Sequence, residues 1–243
     1  MATSGTFAFN PDISELIEEA YERAGLELRS GYDFRTARRS LNYLLLEWQN
    51  RGINLWTVEL YGTPITLVEG QADYNIDIDT VSLLDLMLRT DDADANKQTD
   101  FHLSRISEST YSNIPNKLSK GQPLQYLYNR IGIKDYNPSD GSDRNSTITV
   151  WPVPDKSSTY KIYYYRIRRM ADAGSVGSNT MDVPDRFIPC LVAGLAYQIA
   201  MKRPESAQRL PLLKSSYEEL FQQAAEEDRV KTSARFVPNV MNY

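Results

Sequence analysis

Apolar residues recur at steps of three and four from Ile13 through Leu16, Ile17, Ala20 and Tyr21 to Ala24, the spacing of one helix face. Asn10 is the expected cap, Pro11 suits the first turn, and Gly25 stops the run. Glu15, Glu18, Glu19 and Glu22 fall largely outside that stripe, with Glu19 and Arg23 spaced as an i,i+4 pair. A second helix is predicted from about Asp33 to Asn50. Its apolar face holds Ala37, Leu41, Leu44, Leu45 and Trp48, and Gly52 suits a left-handed cap. At about 100° per residue, Arg35, Arg38, Arg39 and Asn42 gather roughly half a turn from Ala37, away from that face.

From Ile53 the period shortens to two. Trp56, Val58 and Leu60 alternate. Ile65 to Val68 then leads through a turn at Glu69-Gly70-Gln71 to Tyr74, Ile76 and Ile78, the pattern of a hairpin. Val81 to Arg89 fits a strand, although its leucines fit a helix equally. The polar stretch Asp91 to Thr99 reads as an exposed loop, a short helix is expected around Ser104 to Tyr111, and Pro123 introduces a strand from Leu124 to Arg130. Asp135 to Asn145 is rich in Asn, Asp, Ser and Gly and is expected to be a loop. The strongest expected hairpin runs from Ser146 to Arg169. Ile148, Val150 and Pro152 approach a turn at Pro154 to Ser158, and Tyr160, Ile162 and Tyr164 alternate on the return.

Gly174, Gly177 and Asn179 mark a loop, after which Pro184 opens a helix to about Lys202, bounded by Pro204. A last helix is expected from about Leu210 to Lys231, with Leu213, Tyr217, Leu220, Phe221 and Ala224 on one face. Neither helix pair can bury its stripe alone. The expected class is therefore α+β: an α-helical bundle from the N- and C-terminal helix pairs (1–52 and 180–231), with an inserted antiparallel β-rich domain (53–179). Residues 232–243 read as an extended C-terminal tail, whose apolar side chains need a partner.

Charge and cysteine content narrow the classes. With 27 basic and 32 acidic side chains the formal charge is -5, so the surface as a whole is no cationic glove for DNA phosphates, although a local basic patch is allowed. The single cysteine, Cys190, lies in an apolar stretch, which points to a small buried hydrophobe and a reducing compartment. Met1 to Asn10 lack the pattern of a secretory signal, and the longest apolar stretch is too short for a bilayer and carries Gln198; a soluble protein made in the cytosol is expected. The glycosylation sequon Asn145-Ser146-Thr147 then reads as coincidence.

Candidate chemistry is sparse. A nucleophilic triad would have to use His102, the only histidine, and a zinc site would have one Cys and one His to work with. Asp91, Asp92 and Asp94, or Asp140 and Asp143, lack the spacing of a calcium loop and read as solvated acidic loops. There is no glycine-rich phosphate cradle. A paired-carboxylate glycosidase rests only on the supply of acids. No catalytic residue, metal or cofactor is expected. The basic face of Arg35, Arg38 and Arg39 admits three readings: contact with a partner subunit, contact with DNA phosphates, or an ordinary solvated face. Among Tyr160, Tyr163, Tyr164 and Tyr165, alternation places Tyr163 and Tyr165 on one sheet face and Tyr164 on the other, as in a sheet with aromatics on both sides, more than in a base-stacking platform.

The stretch from Asp33-Phe34-Arg35-Thr36-Ala37-Arg38-Arg39 through Glu47-Trp48-Gln49-Asn50-Arg51-Gly52 to Leu55-Trp56 resembles the second helix and exit turn of head-to-tail adaptor proteins of short-tailed bacteriophages, also called tail accessory or head completion proteins. Glu69-Gly70-Gln71-Ala72-Asp73-Tyr74, Gly121-Gln122-Pro123 and Val150-Trp151-Pro152-Val153-Pro154 are similar to stretches of larger members. The resemblance spreads over most of residues 10 to 230.

It implies a structural virion protein, assembled in the host cytoplasm, that forms a homo-oligomeric ring of twelve copies below the portal protein. Such a ring extends a channel through which genomic DNA passes without sequence-specific binding, and it offers a platform to distal nozzle or fibre proteins. No membrane partner is implied. It further implies portal binding by the C-terminal segment, here Arg235, Phe236, Val237, Pro238, Val240, Met241 and Tyr243; Arg35, Arg38 and Arg39 stand as the candidate subunit-interface residues from the basic helix face. The alternatives are a peptidoglycan hydrolase of the virion and a tail-fibre or receptor-binding module.

Overall fold

The computed structural model describes residues 9–52, 55–92, 94, 96–130 and 146–228. Its helices are α1 (Ile13–Ala24), α2 (Gly31–Asn50), the short α3 (Glu108–Ser112), α4 (Ile188–Ala200) and α5 (Leu210–Glu227). The strands are β1 (Val58–Leu60), β2 (Ile65–Thr66), β3 (Asp73–Asn75), β4 (Thr80–Thr90), β5 (Thr99–His102), β6 (Ser104–Ile106), β7 (Lys120–Gly121), β8 (Gln125–Asn129), β9 (Thr147–Trp151), β10 (Val153–Pro154) and β11 (Tyr160–Arg168). The fold is α+β with largely antiparallel sheets. It divides into two compact units, Met1–Leu55 with Met170–Tyr243, and Trp56–Arg169.

In the helical unit α1 is capped by Asp12, where the sequence suggested Asn10. Asp12 and Glu15 exchange side-chain-to-backbone hydrogen bonds of 2.9 and 3.1 Å, a reciprocal capping box. The N–H groups of Ile13 and Ser14 donate to the carbonyls of Asn179 and Gly177, so the returning loop fixes where the helix starts. The expected stripe of α1 is what it buries. Gly25 ends the helix at φ +73°, a conformation only glycine adopts cheaply. α2 begins two residues before the expected Asp33 because Ser30 accepts the Asp33 N–H, and Gly52 takes the left-handed position after it.

Helix α4 is buried on nearly every side, as an all-apolar helix must be, and packs against α1, α2 and α5. Gly194 makes the close approach possible: a Cβ there would stand 2.8 Å from the Tyr217 ring and 2.9 Å from Leu44. The chain enters α4 through a 3₁₀ turn at Asp185–Phe187.

In the β-rich unit the larger sheet runs β1-β11-β4-β5, with β2 also on β11, and a second sheet runs β3-β9-β8-β6. Leu83, Leu86, Leu88, Tyr160, Ile162 and Tyr164 from the first share one core with Tyr74, Tyr126, Tyr128, Ile148 and Val150 from the second. Both expected hairpins are absent. β2 pairs with β11 and β3 with β9, because the connector's donors go elsewhere: Leu67 N–H to Tyr160 O, Val68 N–H to the Tyr74 hydroxyl, and Gly70 N–H to Pro154 O. β9 and β11 likewise enter different sheets. Pro152 and Pro154 have no N–H with which to continue a ladder, and Val153 donates to Ser119 instead, so the chain leaves β9 to pair β10 with β7.

Val81 to Arg89, open between strand and helix in the sequence, lies within β4. The helix expected from Ser104 is displaced: Ser104–Ile106 is strand β6, and Ser107 caps α3 by accepting from Thr110. β6–β8 and β7–β10 pair parallel, against the antiparallel expectation.

Candidate functional site

His102 is exposed on β5, its Nε2 3.2 Å from Asp85. Cys190 is buried in α4, and burial pushes its thiol up to about 12, so it stays protonated and unreactive at neutral pH. Asp92 faces Lys161 Nζ at 2.6 Å and the Tyr163 hydroxyl at 3.0 Å. These bonds hold its carboxyl below the usual range. Asp94 pairs with Lys97, while Asp140 and Asp143 lie outside the described residues. Among the described residues no three His, Cys, Asp or Glu side chains gather closely enough to hold a metal ion, and no helix is long and apolar enough to cross a membrane.

The basic face of α2 is partly used within its own unit. Arg38 donates to the Ser175 carbonyl at 2.7 Å and Asn42 accepts the Ala173 N–H at 2.9 Å, so both hold the loop that precedes α4. Arg35 and Arg39 remain exposed. Lys202, just past α4, donates to Ser40 Oγ and adds a cation to this surface; burial and the nearby Arg39 lower its pKa. Nothing in the sequence links Lys202 to the stripe, since it comes 162 residues after Ser40.

The second face of the larger sheet is only partly buried. Across it Leu60 lies opposite Tyr165 and Tyr165 opposite Asp85, while Tyr163 lies opposite Met87 and Met87 opposite His102. Lys161, Arg89 and Asp100 form the next row. Tyr165 is 40% exposed and Leu60 46%, and the exposed Asp85 lies beside Tyr165 on the inner strand, so the face mixes aromatic, aliphatic and acidic groups. Its margin is charged and ordered: Arg89 grips Asp100 through two bonds of 2.7 and 2.8 Å and lies 4.3 Å from the centre of the Tyr163 ring. Alternation in the sequence marked Tyr163 and Tyr165. The partners on β1, β4 and β5 depend on strand order and register, which periodicity does not carry.

At the inner edge Arg166 is buried and donates to Glu59, Asp79 and Thr80, with its guanidinium 4.2 Å from the Tyr61 ring centre. Tyr61 in turn stacks on Tyr164 and donates to Asp77, whose carboxyl is held low by that bond. This network ties together the β1–β11–β4 junction.

Exposed aromatic and aliphatic side chains interspersed with charged ones are the composition common to surfaces that meet other macromolecules. A family model described as SU10 adaptor protein matches residues 11–241. The chain belongs to that family. It is a bacteriophage adaptor, a structural component of the virion. No curated protein matches it. The adaptor's C-terminal residues Arg235, Phe236, Val237, Pro238, Val240, Met241 and Tyr243 lie outside the described residues.

Proposed function

We propose that this SU10 adaptor protein is a non-enzymatic head-to-tail adaptor of a short-tailed phage, forming a twelve-copy ring below the portal that continues the DNA channel. The family match over nearly the whole chain carries the reading. A closed ring joins two different patches on each copy, so every subunit needs a contact face and a separate receptor for it. The partly buried face around Leu60, Tyr163, Tyr165 and Met87 suits one such patch, and the exposed Arg35 and Arg39 suit a charged contact with a neighbour. The helix pairs serve as the base that meets the portal, the β-rich unit offers the platform for nozzle or fibre proteins, and the tail reaches the portal through Phe236, Val237, Pro238, Val240, Met241 and Tyr243. A net charge of -5 keeps passing DNA from being held.

Co-sedimentation with portal rings tests the assignment, with electron microscopy of the product. The full chain is expected to add a ring to the portal, and the chain lacking residues 232–243 is expected to stay folded and unbound. Equal co-sedimentation of the two would remove the tail from the contact, and failure of the full chain to bind would reject the adaptor reading.

A further inference from the structure

In the helical unit a groove of about 480 Å³ runs along α1 beside the start of α4. Leu16, Ile188, Pro189 and Val192 supply its apolar part, and Phe9, 77% exposed, stands at its mouth. Its rim is acidic: Glu15, Glu18, Glu19 and Glu22 all line it, with Arg23 the one cation among the described lining residues. An apolar trough edged by four carboxylates suits a segment that is apolar and basic.

The chain's own C-terminus has that chemistry. Residues 229–243 carry Arg229, Lys231 and Arg235, no acidic side chain, and the apolar run Phe236, Val237, Pro238, Val240, Met241 and Tyr243. The exit point is also right. Asp228, where the described chain ends, is buried and paired with Arg186, two residues before the Ile188–Pro189 end of the groove. The groove follows α1, whose 12 residues span about 18 Å. Fifteen residues of extended chain reach up to about 50 Å, so length is no obstacle.

We propose that in the free protein the C-terminal segment folds back onto its own chain and occupies this groove, with its basic residues against the α1 glutamates and Phe236 and Val237 over the apolar part. The groove is then the resting site of a segment that assembly has to release. The proposal concerns the isolated chain and stands or falls without the portal.

Disulfide trapping in the full chain tests it. Glu19, whose exposed side chain pairs with Arg23 at the surface, is replaced as Glu19→Cys and combined with Val237→Cys; Cys190 is buried and stays silent. The comparison pair is Tyr43→Cys with Val237→Cys, since Tyr43 is 60% exposed on α2 and does not line the groove. An intramolecular disulfide is expected to form on the order of tenfold faster in the groove pair, because docking raises the local concentration of the tail thiol. Adding Arg235→Glu is expected to cancel most of that advantage. Equal rates in the two pairs would overturn the proposal, and so would a groove disulfide that joins two chains.

Discussion

The indole Nε1 of Trp48 donates to the hydroxyl of Tyr217 at 2.9 Å, although the residues stand 169 positions apart. Both are buried, and Trp48 also packs against Phe187 and Phe221. Burial raises the Tyr217 pKa well above its ordinary value, so the hydroxyl keeps its proton and donates to Glu47 at 3.4 Å while its oxygen accepts from the indole. The bond therefore ties α2 to α5 inside the core of the helical unit. Tyr217→Phe leaves the indole N–H buried without an acceptor and is expected to cost about 1 to 3 kcal/mol. Denaturant unfolding followed by tryptophan fluorescence measures the loss, and an unchanged midpoint would show that the bond contributes nothing.

Gly194 faces the same ring. Alanine favours a helix by about 1 kcal/mol over glycine, but its Cβ would meet Tyr217 at 2.8 Å and Leu44 at 2.9 Å. Overpacking costs about 1 to 3 kcal/mol, and the Tyr217 ring, anchored to Trp48, cannot swing aside. Gly194→Ala is expected to be destabilising by about 1 kcal/mol net. Combined with Tyr217→Phe its penalty should shrink, because the freed ring can move. Strict additivity of the two changes would count against this account.

The stripes of α1 and α2 were legible because a helix buries every third or fourth residue of its own segment, so Leu16, Tyr21, Leu41 and Trp48 are marked by local spacing. The α+β class was legible for the same reason. The hairpins were not. Ile148 and Val150 on β9, and Tyr160 and Ile162 on β11, alternate as partners would, yet they face one core from two sheets. Alternation reports which side of a strand is buried and is silent about its neighbour. Pro152 and Pro154 were the available signal: the pattern puts Pro152 on the strand and Pro154 in the turn, whereas together they mark an exit from the sheet. On the surfaces proposed for contact, the sequence marks Tyr163, Tyr165, Arg35 and Arg39, whereas Met87, Leu60 and Lys202 come beside them only through tertiary placement.

Arg166 offers a test of fork geometry. Its side chain is 5% exposed and it spans Glu59 and Asp79 while donating to Thr80. The two acids are 38% and 42% exposed, so water can take over part of their solvation when the guanidinium is removed. Arg166→Met is expected to cost about 2 kcal/mol, at the lower part of what charged hydrogen bonds contribute. Arg166→Lys is expected to lose more than half as much, since one ammonium cannot reach both carboxylates and the threonine or lie flat over Tyr61. Full rescue by lysine, in thermal or denaturant unfolding, would mean that charge alone matters there.

Acid should weaken both units. Hydrogen bonding to Arg89 holds the Asp100 carboxyl low, the Tyr61 hydroxyl does the same for Asp77, and Arg51 for Glu218. A carboxyl whose folded pKa lies below its unfolded value binds fewer protons when folded. Its stabilisation is complete above the ordinary values of 3.8 and 4.5 and is lost as pH falls through the folded pKa. Unfolding midpoints are expected to be flat from about pH 8 to 6 and to decline below about pH 4. Glu218 is 44% exposed and Asp100 40%, so solvent holds each contribution under about 1 kcal/mol. Arg51→Gln removes the partner that depresses Glu218 and should flatten the acid limb of the helical unit while leaving that of the β-rich unit in place. A single shared change in both limbs would show that the two pairs do not act where the geometry puts them.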